Sequence, residues 1–402
     1  MAGGWSARAR MSGPLVAYAS GFEAELLRRG YLPSSVAHQL RLMAHLDGWL
    51  AEQGLDGWAL TTPVVNRFMA PRRAAGVHLH TERALGPLLV YLRRLGVTPP
   101  PGVAAAVTPV QRLLERYWRY LIVERGLAAS TARGYTGIVR AFLARRADAG
   151  GLDLQGLRAG DIAAFVVASS RRRRGREVVT ALRSLLGFLH VEGLVGGELA
   201  AAVPSVASWT LAGLPQALEA GQARLLLASC DRETVAGRRD FAILTVLARL
   251  GLRAGEVAAL RLDDIDWRAG EIVVSNGKRG RRETLPLPAD VGEAVAEYLR
   301  RGRPATADTR CVFVRVLAPS LGLTGTGVND VVAAACRRAG LGRIAAHRLR
   351  HTAATETLRA GAPLAEVGQL LRHRLPRTTA IYAKVDRDAL RQLARPWPGE
   401  RS

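Results

Sequence analysis

The chain has 402 residues, 49% of them apolar, with 57 Lys and Arg against 34 Asp and Glu and a formal net charge of +23. That apolar share excludes a disordered chain, and the length suits two or three domains with sizeable cores. The charge excludes an acidic surface and draws polyanions; it is spread as 11 basic against 6 acidic residues over 1–100, 15 against 8 over 101–208 and 31 against 20 over 209–402, so folded domains rather than one tail carry it.

The first half reads as helices in two copies. Gly30, Ser34 and Ser35 fall opposite Gly126, Ser130 and Thr131, an offset of 96. Leu85, Leu88, Leu89, Tyr91, Leu92 and Gly96 fall opposite Leu182, Leu185, Leu186, Phe188, Leu189 and Gly193, an offset of 97. One residue of drift over so long a span points to two copies of one domain. In each, a first helix (14–29, then 109–125) ends at the Gly. Ser34–Ser35 and Ser130–Thr131 then read as N-cap signals for a second helix. A short helix follows around Leu60–Phe68 and Leu157–Phe165, and the last ends at Gly96 or Gly193. Between the last two helices of the second copy lies the run Arg171, Arg172, Arg173 and Arg174, a candidate phosphate contact. Pro99–Pro101 is a stiff linker, and Pro204–Pro215 marks a second boundary.

The pattern then changes. Leu218–Cys230 and Arg238–Leu250 read as helices. A tight turn at Gly251 places Arg253 at the start of a short helix, and Asp263–Trp267 reads as a turn. Glu271–Ser275 and Glu283–Leu287 read as strands of a hairpin signalled by Asn276–Gly277, with Lys278 at or beside its tip. Helices follow at Val291–Arg301, Thr326–Ala339, His347–Ala360 and Leu364–Leu371, with a short one at Arg387–Leu393. The expected fold is mainly α with a small antiparallel sheet in the C-terminal part.

Three of the eight histidines, His347, His351 and His373, lie between His347 and Tyr382. His347 and Arg350 are three apart and share a helix face. Arg, His and a nucleophilic Tyr form a set that can hold a phosphodiester, neutralise its transition state and attack its phosphorus. Only two of the 57 basic residues are lysines, Lys278 and Lys384, so Lys278 invites the question of what Arg cannot do there.

Four segments, L-G-L-R-A-G-E-V-A-A-L-R-L-D-D-I-D, N-G-K-R-G-R-R-E-T-L-P-L, H-R-L-R-H-T-A-A-T and L-L-R-H-R-L-P-R-T-T-A-I-Y, stand in this order. Together they resemble the tyrosine recombinase, or phage integrase, family. The resemblance covers about 215–390 and extends to 109–196 as a SAM-like core-binding domain. It implies an accessory helical domain over 1–100, a core-binding domain over 101–208 and a catalytic domain over 209–402. It also implies a site-specific recombinase that cleaves DNA through a 3′-phosphotyrosyl ester.

By the resemblance, Tyr382 is the nucleophile, and Arg253 and Arg350 clamp the phosphorane. His347 and His373 bond its oxygens, with His347 the favoured assistant in removing the tyrosine proton. Lys278 is the general acid for the departing 5′-oxygen, since Lys gives up a proton more readily than Arg. Glu256 orients the first Arg, and His351 reads as a structural residue facing elsewhere on its helix. The family often has Gly where this chain has Arg372.

No cofactor and no metal are implied. The expected partner is double-stranded DNA, bound by a homotetramer on paired sites, alone or with other recombinases. Two rivals are a type IB topoisomerase and a DNA-binding accessory subunit of a multi-recombinase element. No apolar run approaches the roughly 18–20 residues that span a bilayer, and no secretory signal is read at the N-terminus. Cys230, Cys311 and Cys336 lack metal-ligand spacing, which fits a reduced cytoplasmic compartment.

Overall fold

A computed structural model describes residues 11–74, 82–100, 108–148, 151–170, 175–196, 199–205, 217–219, 221–276, 281–373 and 375–385. The chain divides into two compact units, one of residues 1–60, 66–99 and 211–402, the other of 61–65 and 100–210.

The N-terminal helices are α1 (Ala19–Arg28), α2 (Pro33–Glu52), α3 (Thr62–Ala74) and α4 (Glu82–Arg94). Leu26, Leu40, Met43, Leu46 and Leu50 are buried at helical spacing, the apolar stripe that drives such helices together. Asp47 is fully buried. Its carboxylate accepts the backbone N–H of Gly13 at 2.8 Å and of Leu15 at 2.7 Å, tying the entering chain to α2.

The second helical set is α5 (Pro109–Arg119), α6 (Ala129–Leu143), α7 (Ala159–Ser170) and α8 (Gly175–Val191). Thr108 and Gln111 close a reciprocal capping box on α5. The helix then continues as a π turn over Tyr120–Glu124. A two-stranded hairpin, β1 (Ala147–Asp148) with β2 (Gly151–Leu152), follows α6; its two-residue strands leave no alternation to read in sequence. Burial recurs at the offset between the two sets: Met43 and Val139, Leu46 and Phe142, Phe68 and Phe165, Leu85 and Leu182, Leu92 and Leu189. Gly30, Gly126, Gly96 and Gly193 all take positive φ, the left-handed turn that ends a helix most cheaply at Gly.

The helix starts differ from the expected caps. α2 and α6 start one residue before the Ser/Thr pairs, with Leu32 and Ala128 at the cap positions and no side-chain cap bond. Pro33 at the first helical position supplies a preset φ instead, and the hydroxyl residues sit inside the first turn.

The C-terminal part contains α9 (Gln222–Ala228), α10 (Val235–Leu250), α11 (Ala254–Ala259), β3 (Ile265–Asp266), β4 (Glu271–Asn276), β5 (Arg281–Pro286), α12 (Ala289–Arg301), α13 (Gly325–Arg338), α14 (Ala346–Arg359), α15 (Leu364–Leu370) and α16 (Pro376–Thr379), then a 3-10 turn over Ala380–Val385. α10 is the central rod. Ala242 to Leu247 are buried without a break, because α12, α13 and α14 pack around it. Gly325 lets α13 approach α11 closely: a Cβ there would lie 3.3 Å from the Gly255 nitrogen.

The sheet is antiparallel in the order β3-β4-β5. The stretch expected only as a turn at Asp263–Trp267 supplies a third strand, with Ile265 opposite Ile272 and Asp266 opposite Glu271. Pairing of β4 with β5 runs out to Asn276 opposite Arg281. The hairpin expected around Asn276–Gly277 forms, and its strands run two residues closer to the connection on the return side than expected. Residues 277–280, the run 171–174 and the expected helix at Arg387–Leu393 lie outside the described residues.

Among the described residues no helix is long and apolar enough to cross a membrane. Tyr298 is fully buried and its hydroxyl accepts the Val314 N–H at 3.3 Å.

Candidate active site

Four short elements converge on one point. The first is the turn before α11. Gly251 takes φ +56°, and a Cβ there would come within 3.2 Å of Leu371 and 3.9 Å of the Arg350 side chain. Gly is therefore favoured by the backbone and by the close approach of the Leu371 side chain. The turn puts Arg253 at the N-cap of α11, where Glu256 bonds it twice: Oε2 accepts the Arg253 N–H at 2.8 Å and Oε1 accepts from Nη1 at 2.6 Å. Arg253 keeps about half of its side chain exposed (46%), so its remaining donors face outward.

The second element is α14. Its start has no side-chain cap of its own; Asn329 on α13 reaches across and accepts the Ala346 N–H at 3.1 Å. Thr352 accepts the Leu218 N–H at 2.8 Å and fixes the helix from the other side. With both anchors set, the first two turns carry His347, Arg350 and His351. Arg350 is buried, and its guanidinium donates to the Gly251 carbonyl at 2.5 Å and to the Leu371 carbonyl. Burial, with Arg253 and Arg372 close by, lowers its pKa to about 10.

The third element is the turn after α15, where Arg372 has φ +53°. A non-Gly residue there costs about 1 kcal/mol or more. Its side chain neither joins the solvent nor reaches outward. It is 3% exposed and pairs at 2.9 Å with Glu256, itself 5% exposed. Arg372 thus acts through Glu256 on Arg253. Its Nε is buried without a partner, so the position carries both backbone and polar strain. Arg372→Ala is expected to destabilise the protein by about 3 kcal/mol, the cost of breaking a buried pair. Arg372→Gly is expected to cost about 1 kcal/mol less, because Gly accepts the positive φ. Paired denaturant titrations check the order, which reverses the usual preference for Ala over Gly.

The fourth element is α16 with the closing 3-10 turn, which carries Tyr382. The phenol is 2% exposed and packs with Leu358, Val367 and Leu371. Burial raises its pKa and Arg350 opposes the rise. Its hydroxyl bonds His351 Nδ1 at 2.6 Å. His351, expected to face elsewhere on its helix, thus faces the phenol. His347 and His351 are one turn apart, their rings 5.8 Å from each other, and the His351 ring is 5.6 Å from the phenol. The i,i+4 spacing held this signal.

His373 stacks on the same phenol, centroids 6.3 Å apart and planes within 17°. Its Nδ1 bonds the Thr379 hydroxyl at 2.8 Å. Burial, then Arg350 and Arg253, lower its pKa to about 4. A histidine with a depressed folded pKa is charged more readily in the unfolded chain. Stability is then full above about pH 6.5 and declines as pH falls toward 4. Melting temperatures measured across that window should fall, and less steeply in His373→Gln.

The structure thus brings Arg253, His347, Arg350, His373 and Tyr382 together, and adds His351, Glu256 and Arg372. Lys278 and the four arginines Arg171, Arg172, Arg173 and Arg174 lie outside the described residues. Three guanidiniums face one carboxylate, an excess of positive charge suited to an anion. Among the described residues no group of three His, Cys, Asp or Glu could hold a metal ion.

The sequence profile of the phage integrase family matches residues 216–388, and that of the phage integrase N-terminal SAM-like domain matches 114–193. A Sinorhizobium fredii protein that carries the name integrase/recombinase y4rA is 42% identical, over 96% of each chain. Among solved structures, the XerH site-specific recombinase bound to palindromic difH substrate in a post-cleavage complex aligns with TM-score 0.55. It is 17% identical and covers 74% of this chain and 99% of that one. A lambda integrase tetramer bound to a Holliday junction aligns with TM-score 0.53 at 16% identity, covering 80% and 90%.

Proposed function

The chain belongs to the phage integrase family of tyrosine recombinases, and we propose that it is a site-specific integrase that cuts and rejoins double-stranded DNA through a 3′-phosphotyrosyl link. The observation that carries this reading is a phenol held inside a cluster of guanidiniums and imidazoles drawn from four separate elements. In this reading the Tyr382 oxygen attacks phosphorus and stores the bond as a covalent ester. Arg253 and Arg350 bind the equatorial oxygens as charge grows on them. His347, exposed at the start of α14, and His373 bond the same oxygens. Lys278 protonates the departing 5′-oxygen. Rejoining is the reverse, with no nucleotide hydrolysed.

The helical sets over 1–100 and 101–208 are read as an accessory domain and a core-binding domain of common origin, supported by burial that recurs at offsets of 96 and 97. Arg171, Arg172, Arg173 and Arg174 would contact phosphates. A tetramer on two duplexes is the working assembly in this reading, which the lambda integrase tetramer bound to a Holliday junction supports, and a mobile element is its setting.

The test uses two supercoiled plasmids, each with or without the element's own end sequence. Expected are recombinant products that require a site on both plasmids and no nucleotide. Relaxation of site-free plasmid at an equal rate would point instead to a topoisomerase. Tight binding with no strand cleavage would point to an accessory subunit.

A further inference from the structure

Attack by Tyr382 requires its proton to leave, and three histidines surround it. Their geometries differ. His373 lies nearly parallel to the phenol ring and its Nδ1 is engaged by Thr379. Among the described residues no hydrogen bond joins a His373 nitrogen to the phenolic oxygen. His347 is exposed and meets His351 edge-on. Of the three, His351 is the one whose ring nitrogen, Nδ1, lies within hydrogen-bond distance of the Tyr382 oxygen among the described residues, at 2.6 Å.

We propose that His351 is the catalytic base that accepts the Tyr382 proton during strand cleavage and returns it during rejoining. The proposal rests on the reading of Tyr382 as nucleophile. As the tyrosine oxygen bonds phosphorus and the bond from phosphorus to the 5′-oxygen breaks, the phenolic proton passes to His351 Nδ1. The leaving oxygen is protonated separately.

The surroundings suit an acceptor. His351 is half-buried, and the charged or titratable groups around it are His347, Arg348 and Arg350 on its own helix, His373 from the turn after α15 and Tyr382 itself. Burial first, then His347 and the neighbouring arginines, holds His351 below the usual histidine range. At neutral pH it is therefore an uncharged imidazole, and in the tautomer proposed Nδ1 accepts and Nε2 bears the hydrogen. Positive charge left on it after transfer lies beside the phosphorane, where negative charge is growing.

The experiment measures single-turnover cleavage of a nicked suicide duplex by the full chain, wild type and His351→Asn. Asn keeps an acceptor near the Nδ1 position but takes no proton. Expected is a fall of about 10²–10⁴ in rate, the usual worth of a general base, with DNA affinity and melting temperature close to wild type. A duplex with sulfur at the bridging 5′ position, whose thiolate leaves without protonation, should not restore the rate. The wild-type rate should rise with pH through the His351 titration and then level; the variant should lack that limb.

Cleavage by His351→Asn within threefold of wild type overturns the proposal. So does rescue by the sulfur substrate, which would place His351 on the leaving group. Cleavage faster than wild type also overturns it, and makes the bond a restraint on the tyrosine. If His351→Asn fails to fold, His351→Gln is read by the same sulfur and pH criteria. An adduct that persists in Tyr382→Phe is a different failure, that of the nucleophile.

Discussion

Tyr382→Phe is expected to form no denaturation-resistant protein–DNA adduct on a nicked suicide duplex carrying the element's end sequence, while binding that duplex as tightly as wild type. The substitution removes one oxygen and leaves the ring among Leu358, Val367 and Leu371, so packing is kept. The lost bond to His351 should lower stability by about 1 kcal/mol, the net worth of a typical hydrogen bond. Loss of the covalent step should be complete within detection, because no other described side chain presents a hydroxyl in the same position. Adduct formed by Tyr382→Phe at the wild-type level would remove Tyr382 from the mechanism.

Arg350→Lys is expected to fail almost as badly. Arg350 reaches two carbonyls on two elements at once, Gly251 on the turn before α11 and Leu371 at the end of α15. Its rigid planar fork allows that while leaving a donor edge for the phosphate. A lysine ammonium on a flexible stem reaches one such target. The second carbonyl is then left buried without a partner, at a cost of about 1–3 kcal/mol. Cleavage should drop by about 10²–10³, the measured worth of one well-aimed donor to a transition-state oxygen. The drop should appear at saturating DNA, since half-exposed Arg253 is unchanged in the variant. A shift confined to DNA affinity would instead make Arg350 a binding residue. The two contacts also couple the three elements, so chemical denaturation should show lowered stability of the variant even without DNA.

Most of the site is legible in the sequence because its residues sit in local patterns. Gly251 two residues before Arg253 encodes a turn and a helix start. His347 and Arg350, three apart, encode one face. These are properties of backbone geometry within a few residues. The same holds for the helical copies: apolar spacing within each helix and Gly at each end repeat whatever the helices pack against. It holds for the basic charge as well, which composition alone sets.

Contacts between elements are not legible in this way. The i,i+4 spacing places His351 on the same helical face as His347 but cannot say that a tyrosine thirty-one positions later will come to it. Arg372 reads in sequence only as an arginine where a glycine is usual. It becomes a buried partner of Glu256 because the turn after α15 meets the first turn of α11, where Glu256 Oε2 accepts the Arg253 N–H and a second bond from Arg372. The third strand, β3, has two residues and no alternation to read; it exists because β4 offers an open edge beside it. The order of residues along the chain thus sets the chemical inventory and the local conformation of each piece. Packing in three dimensions sets which groups share a proton and which share a charge, because hydrogen bonds and buried ion pairs depend on distances of about 3 Å that no local pattern specifies.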